Sequence, residues 1–91
     1  MKFEWDEVKR LGNIRKHGID FAGAEAIFDG PTKTIHDDRI DYGEERFVSF
    51  GLLEGRVVAV AHTETADTIR FISIRKATKR EQALFFKGFE N

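Results

Sequence analysis

The sequence contains no cysteine, which excludes a disulfide framework and thiolate chemistry. Its three histidines are scattered and show none of the short spacings of a metal site, so we expect neither a metal nor a cofactor. No apolar run approaches the length of a membrane span, and no charged-then-apolar leader stands at the start. These absences favour a cytoplasmic protein that does not contact a membrane.

Neither sign of charge dominates, since 15 basic and 16 acidic residues give a formal net charge of −1. This balance argues against a direct DNA-binding regulator, which needs a basic recognition surface. The charge is uneven, because acids cluster in residues 37–45 and the second half of the chain is mildly basic. Such a basic surface is compatible with phosphate contact, although a solvated charged face is its commoner meaning.

Capping residues and apolar spacing predict two N-terminal helices. The first covers residues 6–17, with Asp6 as the N-cap and Gly18 as the left-handed residue that ends it. The second is shorter and covers residues 20–28, because a Gly-Pro pair follows it. Residues 2–5 are predicted to form only a short extended lead-in.

Four strands and a closing helix are predicted to follow. The strands are residues 32–36, 45–53, 56–63 and 68–77, and the helix is residues 78–87. Turns this short between strands demand antiparallel neighbours. The expected fold is one α+β domain over residues 1–91, with two N-terminal helices, a four-stranded antiparallel meander sheet and a C-terminal helix.

The last predicted strand carries cations in an apolar setting. Residues 68–77 give apolar side chains to both faces, as a central strand does, yet they include Arg70, Arg75 and Lys76. The charged ends of these side chains either reach water at the rim of the sheet or bind an anion. On strict alternation, Arg75 shares a face with Phe71, and Lys76 points to the other face.

A series of short motifs follows a fixed order from residue 3 to about residue 86. The motifs are Phe3-x-Trp5-Asp6, Lys9, Asn13, Lys16-His17-Gly18, Phe21, Ala24, Phe28, Asp29, Tyr42-Gly43-Glu44-x-Arg46, Gly51, Ile69-Arg70-x-Ile72-Ser73-x-Arg75-Lys76-Ala77 and Glu81. The series resembles the BrnT family, the toxin halves of bacterial type II toxin–antitoxin pairs. This resemblance implies a fold similar to the RelE-type ribonuclease toxins and RNA cleavage that inhibits translation. It also implies neutralisation by a BrnA-type antitoxin, through which DNA is contacted.

The sequence departs from the pattern of this family in two places. The family often has an arginine in the turn between the last two strands, where this chain has Glu64-Thr65-Ala66. It often has a tyrosine in the closing helix, where this chain has Phe85-Phe86. The departures favour an alternative function, that of a non-catalytic interaction module which binds only an antitoxin or another partner.

Metal-free RNA cleavage needs a base for the ribose 2′-OH, an acid for the leaving 5′-oxygen and cations around the transition state. Arg75 is the candidate cation, because a guanidinium binds phosphate bidentately and stays protonated. An ion pair with Glu81 is an equally good interpretation of Arg75. His17 and His62 are the candidate acid and base, since histidine titrates near neutral pH. Their structural alternatives are a helix-capping cation for His17 and a buried, hydrogen-bonded histidine for His62.

Four further residues are candidates for RNA binding. Tyr42 can stack on an exposed base, and Arg46 can hold a phosphate. Lys76 and Lys16 each stand next to a candidate catalytic residue and add positive charge there. The alternative for Tyr42 is a turn in which its ring packs on the edge of the sheet.

Overall fold

The computed structural model describes residues 1–38 and 43–88. Its elements in chain order are β1 (Lys2–Trp5), α1 (Glu7–His17), a 3₁₀ helix (Ala24–Asp29), β2 (Lys33–Asp37), β3 (Arg46–Leu53), β4 (Arg56–Glu64), β5 (Thr68–Lys76) and α2 (Lys79–Lys87). The strands form one sheet in the order β1-β5-β4-β3-β2. None of the helices in these two ranges is long and apolar enough to cross a membrane.

The predicted four-stranded antiparallel sheet is wrong, because the sheet has five strands and is mixed. Residues 2–5 are not a lead-in. They form β1, which pairs in parallel with β5 and places Phe3 opposite Ile69 and Trp5 opposite Phe71. The other neighbours, β2 to β5, pair antiparallel. A strand of four residues whose parallel partner lies at the other end of the chain leaves almost no signal in its local sequence.

The prediction of two N-terminal helices is also wrong, because the second segment is a 3₁₀ helix and starts later than expected. The Asp20 carboxylate accepts a hydrogen bond from the backbone N–H of Ala22 at 2.9 Å, which forms a tight turn. Gly23 then adopts a left-handed conformation with φ of 88°. These two features prevent an α-helix from beginning at residue 20. Phe21 and Ile27 are nevertheless fully buried under this short segment.

Asn13 fixes α1 to the sheet. β1 ends at Trp5, so β5 has no neighbouring strand on that side beyond the point where the two pair. The Asn13 side chain takes the place of a strand there. Its Nδ2 donates to the carbonyl of Ile74 at 3.0 Å and to that of Ile19 at 2.9 Å, and its Oδ1 accepts from the Ile74 N–H at 3.0 Å. One buried amide therefore joins α1, β5 and the loop after α1.

The two faces of the sheet are covered differently. The first, which we call the α1 face, packs against α1 and the 3₁₀ helix and holds the larger core: Phe21, Ala24, Ile27, Val58, Val60, Ile69, Phe71 and Ile74. The second, the α2 face, is crossed by α2, whose Phe85 packs with Val57 and Ala77. Because Glu81 contacts Arg75 on β5 and Gly88 lies against Lys33 on β2, α2 runs across the sheet from β5 towards β2.

A β-bulge in β5 changes which side chains share a face. In the register with β4, Ala61 pairs with Ser73 and His62 pairs with Phe71, so Ile72 is an extra residue. Beyond the bulge, Arg75 lies opposite Ala59 on the α2 face, whereas Phe71 belongs to the core of the α1 face. The prediction that Arg75 and Phe71 share a face is therefore wrong.

Candidate nucleic-acid interface

Two adjoining hollows lie where the β3–β4 turn meets the end of β5. The first, which we call the His17 cleft, has a volume of about 380 Å³ and opens between the loop after α1 and this turn. The second, the Phe86 hollow, has a volume of about 510 Å³ and lies between α2 and the same turn. Arg56 and Lys76 line both hollows, which therefore form one continuous surface.

Positive charge prevails in the Phe86 hollow. Its walls carry Arg56, Lys76 and Lys79, and the described residues that line it include no acid. Among residues 1–38 and 43–88, none of these three cations makes an ion pair. By contrast, four other arginines lie within 3.9 Å of a carboxylate oxygen: Arg10, Arg46, Arg70 and Arg75. Cations without a carboxylate partner on one concave surface attract anions such as phosphate.

The His17 cleft also contains two acids, Asp20 and Glu54. The Asp20 carboxylate is bonded by Arg10, whose Nη1 lies 3.2 and 3.1 Å from its two oxygens. The backbone N–H of Ala22, and after it the Arg10 guanidinium, lower the pKa of Asp20. Asp20 is thus ionised but shares its charge with Arg10, which leaves the cations Arg56 and Lys76 against one remaining acid, Glu54, in the lining of the cleft.

His17 is the last residue of α1, and it enters the cleft because the helix ends there. Gly18 caps the helix with φ of 72° and donates its N–H to the carbonyl of Ile14 at 2.8 Å. Asn13 holds the same helix on β5, and the half-buried His17 lines the cleft together with Arg56 and Lys76. A histidine and two cations in the lining of one cleft are groups of the kind that assist cleavage of a phosphodiester, since the histidine can transfer a proton and the cations can stabilise negative charge.

Of the predicted site residues that the structure describes, only His17 and Lys76 line the same cleft. Arg56 and Lys79 were not predicted to belong to the site. Arg56 follows the β3–β4 turn, and the register that places Val58 opposite Lys76 brings it to the end of β5. The predicted antiparallel pairing of β4 with β5 could therefore have identified Arg56, because an antiparallel hairpin places the start of one strand beside the end of the next.

Two other predicted RNA-binding residues, Lys16 and Arg46, do not line the two hollows. Lys16 is exposed on α1, and Tyr42 lies outside the described residues. Arg46 begins β3 at the opposite end of the sheet, with its Nε 3.9 Å from Glu44. The described part of the chain also holds no group of three or more His, Asp or Glu side chains that could bind a metal ion.

Arg75 binds Glu81 in a bidentate ion pair on the α2 face. Its Nη1 and Nη2 lie 2.8 and 3.0 Å from the two carboxylate oxygens. Glu81 also accepts the N–H of Thr78 at 2.9 Å, and its own N–H donates to the Thr78 hydroxyl at 3.1 Å, which completes a capping box. The Arg75 guanidinium lowers the pKa of Glu81 to about 2. Arg75 therefore anchors the start of α2, while its catalytic role stays a prediction.

Paired variants at Arg75 and Glu81 distinguish anchoring from catalysis. Because the two side chains form one ion pair, we expect both Arg75→Ala and Glu81→Ala to lower the melting temperature, and Glu81→Ala to lower it more because it also loses the capping bond from Thr78. The double variant should be little less stable than Glu81→Ala alone. A phosphate contact by Arg75 would instead lower RNA cleavage by a further factor of about 10²–10³ in Arg75→Ala alone. Thermal unfolding and cleavage rates of the three variants measure both effects.

His62 lies on the α1 face, away from the other candidates. Its side chain is 1% exposed, between the rings of Phe28 and Phe47. Its Nε2 lies 2.7 Å from the Ser49 hydroxyl, which in turn lies 2.7 Å from the Thr34 hydroxyl. His62 does not line the His17 cleft, and the structure shows it as a buried, hydrogen-bonded residue. Its catalytic role stays a prediction.

The burial of His62 predicts that acid destabilises the fold. Burial lowers the pKa of this imidazole and outweighs the charge of Glu64, which would raise it. As the pH falls, the unfolded chain therefore binds this proton first, at about pH 6.5. The contribution of neutral His62 to stability is complete above that pH and is lost as the pH falls towards the lower pKa of the folded state.

We therefore expect the free energy of unfolding to be smaller at about pH 5.5 than at about pH 7.5, by at most about 1.4 kcal/mol for this proton. Urea unfolding at the two pH values measures the difference. A His36→Gln variant is the control, because His36 is exposed on β2 and its replacement should leave the decrease unchanged. A wild-type stability that is equal at both pH values would contradict the prediction.

Comparison with known proteins identifies the family. The family described as the ribonuclease toxin BrnT of type II toxin–antitoxin systems matches residues 5–81, which is most of the chain. A search of curated proteins finds no match. The matched range contains α1, strands β2 to β5 and the start of α2, and hence every residue of the His17 cleft. The resemblance seen in the motifs is confirmed, and the chain belongs to the BrnT family of type II toxin–antitoxin ribonuclease toxins.

Proposed function

We propose that this toxin is an endoribonuclease that cleaves RNA without a metal ion, inhibits translation in the cytoplasm, and makes the cut in the His17 cleft. One observation carries the proposal. Arg56, Lys76 and Lys79 gather on one concave surface beside a histidine, and within the described ranges none of the three makes an ion pair. Such a surface suits a phosphodiester better than it suits an uncharged ligand.

The chemistry follows from these side chains. The scissile phosphate lies between Arg56 and Lys76, which both hollows share, and the two cations stabilise the extra negative charge of the transition state. The ribose 2′-oxygen attacks the phosphorus, the bond to the 5′-oxygen breaks, and a 2′,3′-cyclic phosphate remains. One proton leaves the 2′-OH and another reaches the 5′-oxygen. His17, the only histidine in the described lining of the cleft, carries out one of these transfers, and solvent water exchanges the other proton.

The experiment uses the purified chain and an end-labelled RNA in the presence of a chelator. We expect cleavage without added metal, and a rate about 10²–10³ lower in Lys76→Ala. Arg70→Ala is the matched control, because this arginine belongs to the same strand but faces Glu4, with its Nη1 3.5 Å from the carboxylate. Its cleavage rate should stay close to that of the wild type. Equal loss of activity in both variants would contradict the assignment of the cleft.

Membership of a toxin–antitoxin family implies an antitoxin partner. We propose that this partner is BrnA-like and that it makes the DNA contacts of the complex. The net charge of −1 supports this division, because a toxin without excess positive charge is poorly suited to bind DNA alone. Co-expression with the neighbouring gene should relieve growth arrest, and the purified complex should bind promoter DNA that the toxin alone does not retain.

A non-catalytic interaction module is the alternative function. Apolar side chains exposed on the outer side of α1 favour it, since Val8 and Leu11 are 79% and 50% exposed. In that case the chain would bind its antitoxin tightly, and RNA would stay intact in the presence of the folded protein. Titration of the antitoxin alongside the RNA assay separates the two functions.

A further inference from the structure

Phe86 is the large apolar side chain of the basic hollow. It is 51% exposed, and it shares the walls of the hollow with Arg56, Lys76 and Lys79. The ring of Phe85, which is 2% exposed and packs under α2, lies 5.3 Å from the Phe86 ring at an interplanar angle of 78°. The buried ring thus packs in a T-shaped arrangement against the exposed one, and Phe86 presents an aromatic ring to solvent in the same hollow as the cations.

The surroundings of Phe86 decide which ligand fits. An apolar side chain of a partner protein would meet three cations and no acid in the described walls of the hollow, which is a poor environment for it. A nucleic acid suits both the cations and the aromatic ring, because its phosphates match the cations and its bases have flat faces that stack on aromatic rings. A base inside a duplex is already stacked on both sides, so only an unpaired base can meet Phe86.

We propose that Phe86 stacks on an unpaired base next to the phosphate held by Arg56 and Lys76, so that the toxin selects single-stranded RNA. The two shared cations lie between the hollows, so the phosphate they hold has one nucleoside in the His17 cleft and the next in the Phe86 hollow. Phe86 is therefore a residue that binds and selects substrate, not one that transfers protons. This inference rests on the proposed function, because it takes RNA as the ligand of the site.

The test uses a short fluorescent RNA that carries a single 2′-deoxy substitution at the cleavage site, so that binding is measured without cleavage. Phe86→Leu keeps an apolar side chain but removes the aromatic face, and we expect it to weaken binding by about 5- to 150-fold. Phe86→Tyr keeps the face and should bind within about twofold of the wild type. Leu84→Ala is the matched control, because Leu84 is also 51% exposed on α2 but does not line the hollow.

An abasic substitution next to the cleavage site tests the stacking itself. It should weaken the wild type about as much as Phe86→Leu does, and it should weaken Phe86→Leu little further, because the same contact is already lost. The wild type should also bind the single strand more tightly than a duplex of the same sequence. Cleavage of a normal RNA by Phe86→Leu should show a raised KM and a nearly unchanged kcat.

The possible results separate this inference from the proposed function. Wild-type affinity of Phe86→Leu for the single strand would overturn the role of Phe86, even if the chain cleaves RNA. A loss of antitoxin binding in Phe86→Leu with unchanged RNA binding would assign the ring to the protein partner. Binding that depends on Phe86 without any cleavage would overturn the proposed reaction and leave the stacking role intact. An absence of RNA binding by the wild type would overturn both.

Discussion

Replacement of His17 with glutamine is expected to lower the rate of RNA cleavage by about 10²–10⁴. Among the described residues that line the cleft, His17 is the only histidine. Glutamine can still donate and accept hydrogen bonds, but it cannot take up or release a proton near neutral pH. The change lies at the last residue of α1, where interaction with the helix dipole contributes at most about 2 kcal/mol for a partly buried side chain. Single-turnover cleavage with saturating enzyme measures the chemical step free of binding.

The two other histidines provide the matched controls for this variant. His36→Gln alters an exposed side chain on β2 and should cleave RNA at close to the wild-type rate. His62→Gln alters the buried pair with Ser49 and should lower stability. A variant with alanine at position 17 should recover part of its activity when imidazole is added, which a purely structural role for His17 would not produce. Wild-type cleavage by His17→Gln would remove His17 from the reaction.

Local patterns predicted those parts of the fold that local interactions determine. Asp6 and Gly18 cap α1 in the structure, and their side-chain and backbone conformations depend only on the residues beside them. The prediction of a second N-terminal helix was wrong because Gly23 takes a left-handed conformation, which apolar spacing does not reveal. β1 was not predicted because its partner β5 begins at Thr68, which is more than half the length of the chain away in sequence. Pairing at that distance is decided by the packing of the core and not by a local sequence pattern.

One extra residue in β5 misled the prediction for Arg75. Strict alternation placed Arg75 with Phe71, but the bulge at Ile72 reverses the faces of all residues that follow it. Lys76 thus enters the His17 cleft, and Arg75 meets Glu81. A cation on an apolar strand thus indicated the end of β5 beside which the two hollows open, and the catalytic roles of Arg75 and Lys76 stay predictions. Which of the two adjacent cations faces the cleft depended on a bulge that no short motif indicates.

Arg56, the other cation of the cleft, was not assigned to the cleft from the sequence. Arg56 follows a turn, where a charged residue is ordinary, so nothing in its immediate neighbourhood marks it. Only the pairing of β4 with β5 brings it to Lys76, and only the end of α1 places His17 opposite both. The lining of the cleft thus comes from three segments that are distant in sequence, and the proposed reaction depends on all three. Their arrangement depends in turn on how α1 is attached to the sheet.

The attachment of α1 to β5 through Asn13 predicts a large loss of stability when Asn13 is replaced with alanine. The amide of Asn13 supplies both hydrogen bonds of the Ile74 backbone at the place where β1 has ended, and it is 5% exposed. Alanine would leave a buried N–H and a buried carbonyl of Ile74 without partners. Each such group costs about 1–3 kcal/mol. We therefore expect the free energy of unfolding to fall by about 3 kcal/mol.

Urea unfolding of Asn13→Ala beside Lys9→Ala measures this loss, because Lys9 is exposed on the same helix and alanine favours the helix there. The stability of Lys9→Ala should stay within about 0.5 kcal/mol of the wild type. Asn13→Ala should also cleave RNA more slowly under conditions in which it is still folded, because α1 carries His17 to the cleft. If Asn13→Ala were as stable as Lys9→Ala, the backbone of β5 would not need this amide. The position of His17 would then have to be determined by the packing of α1 alone.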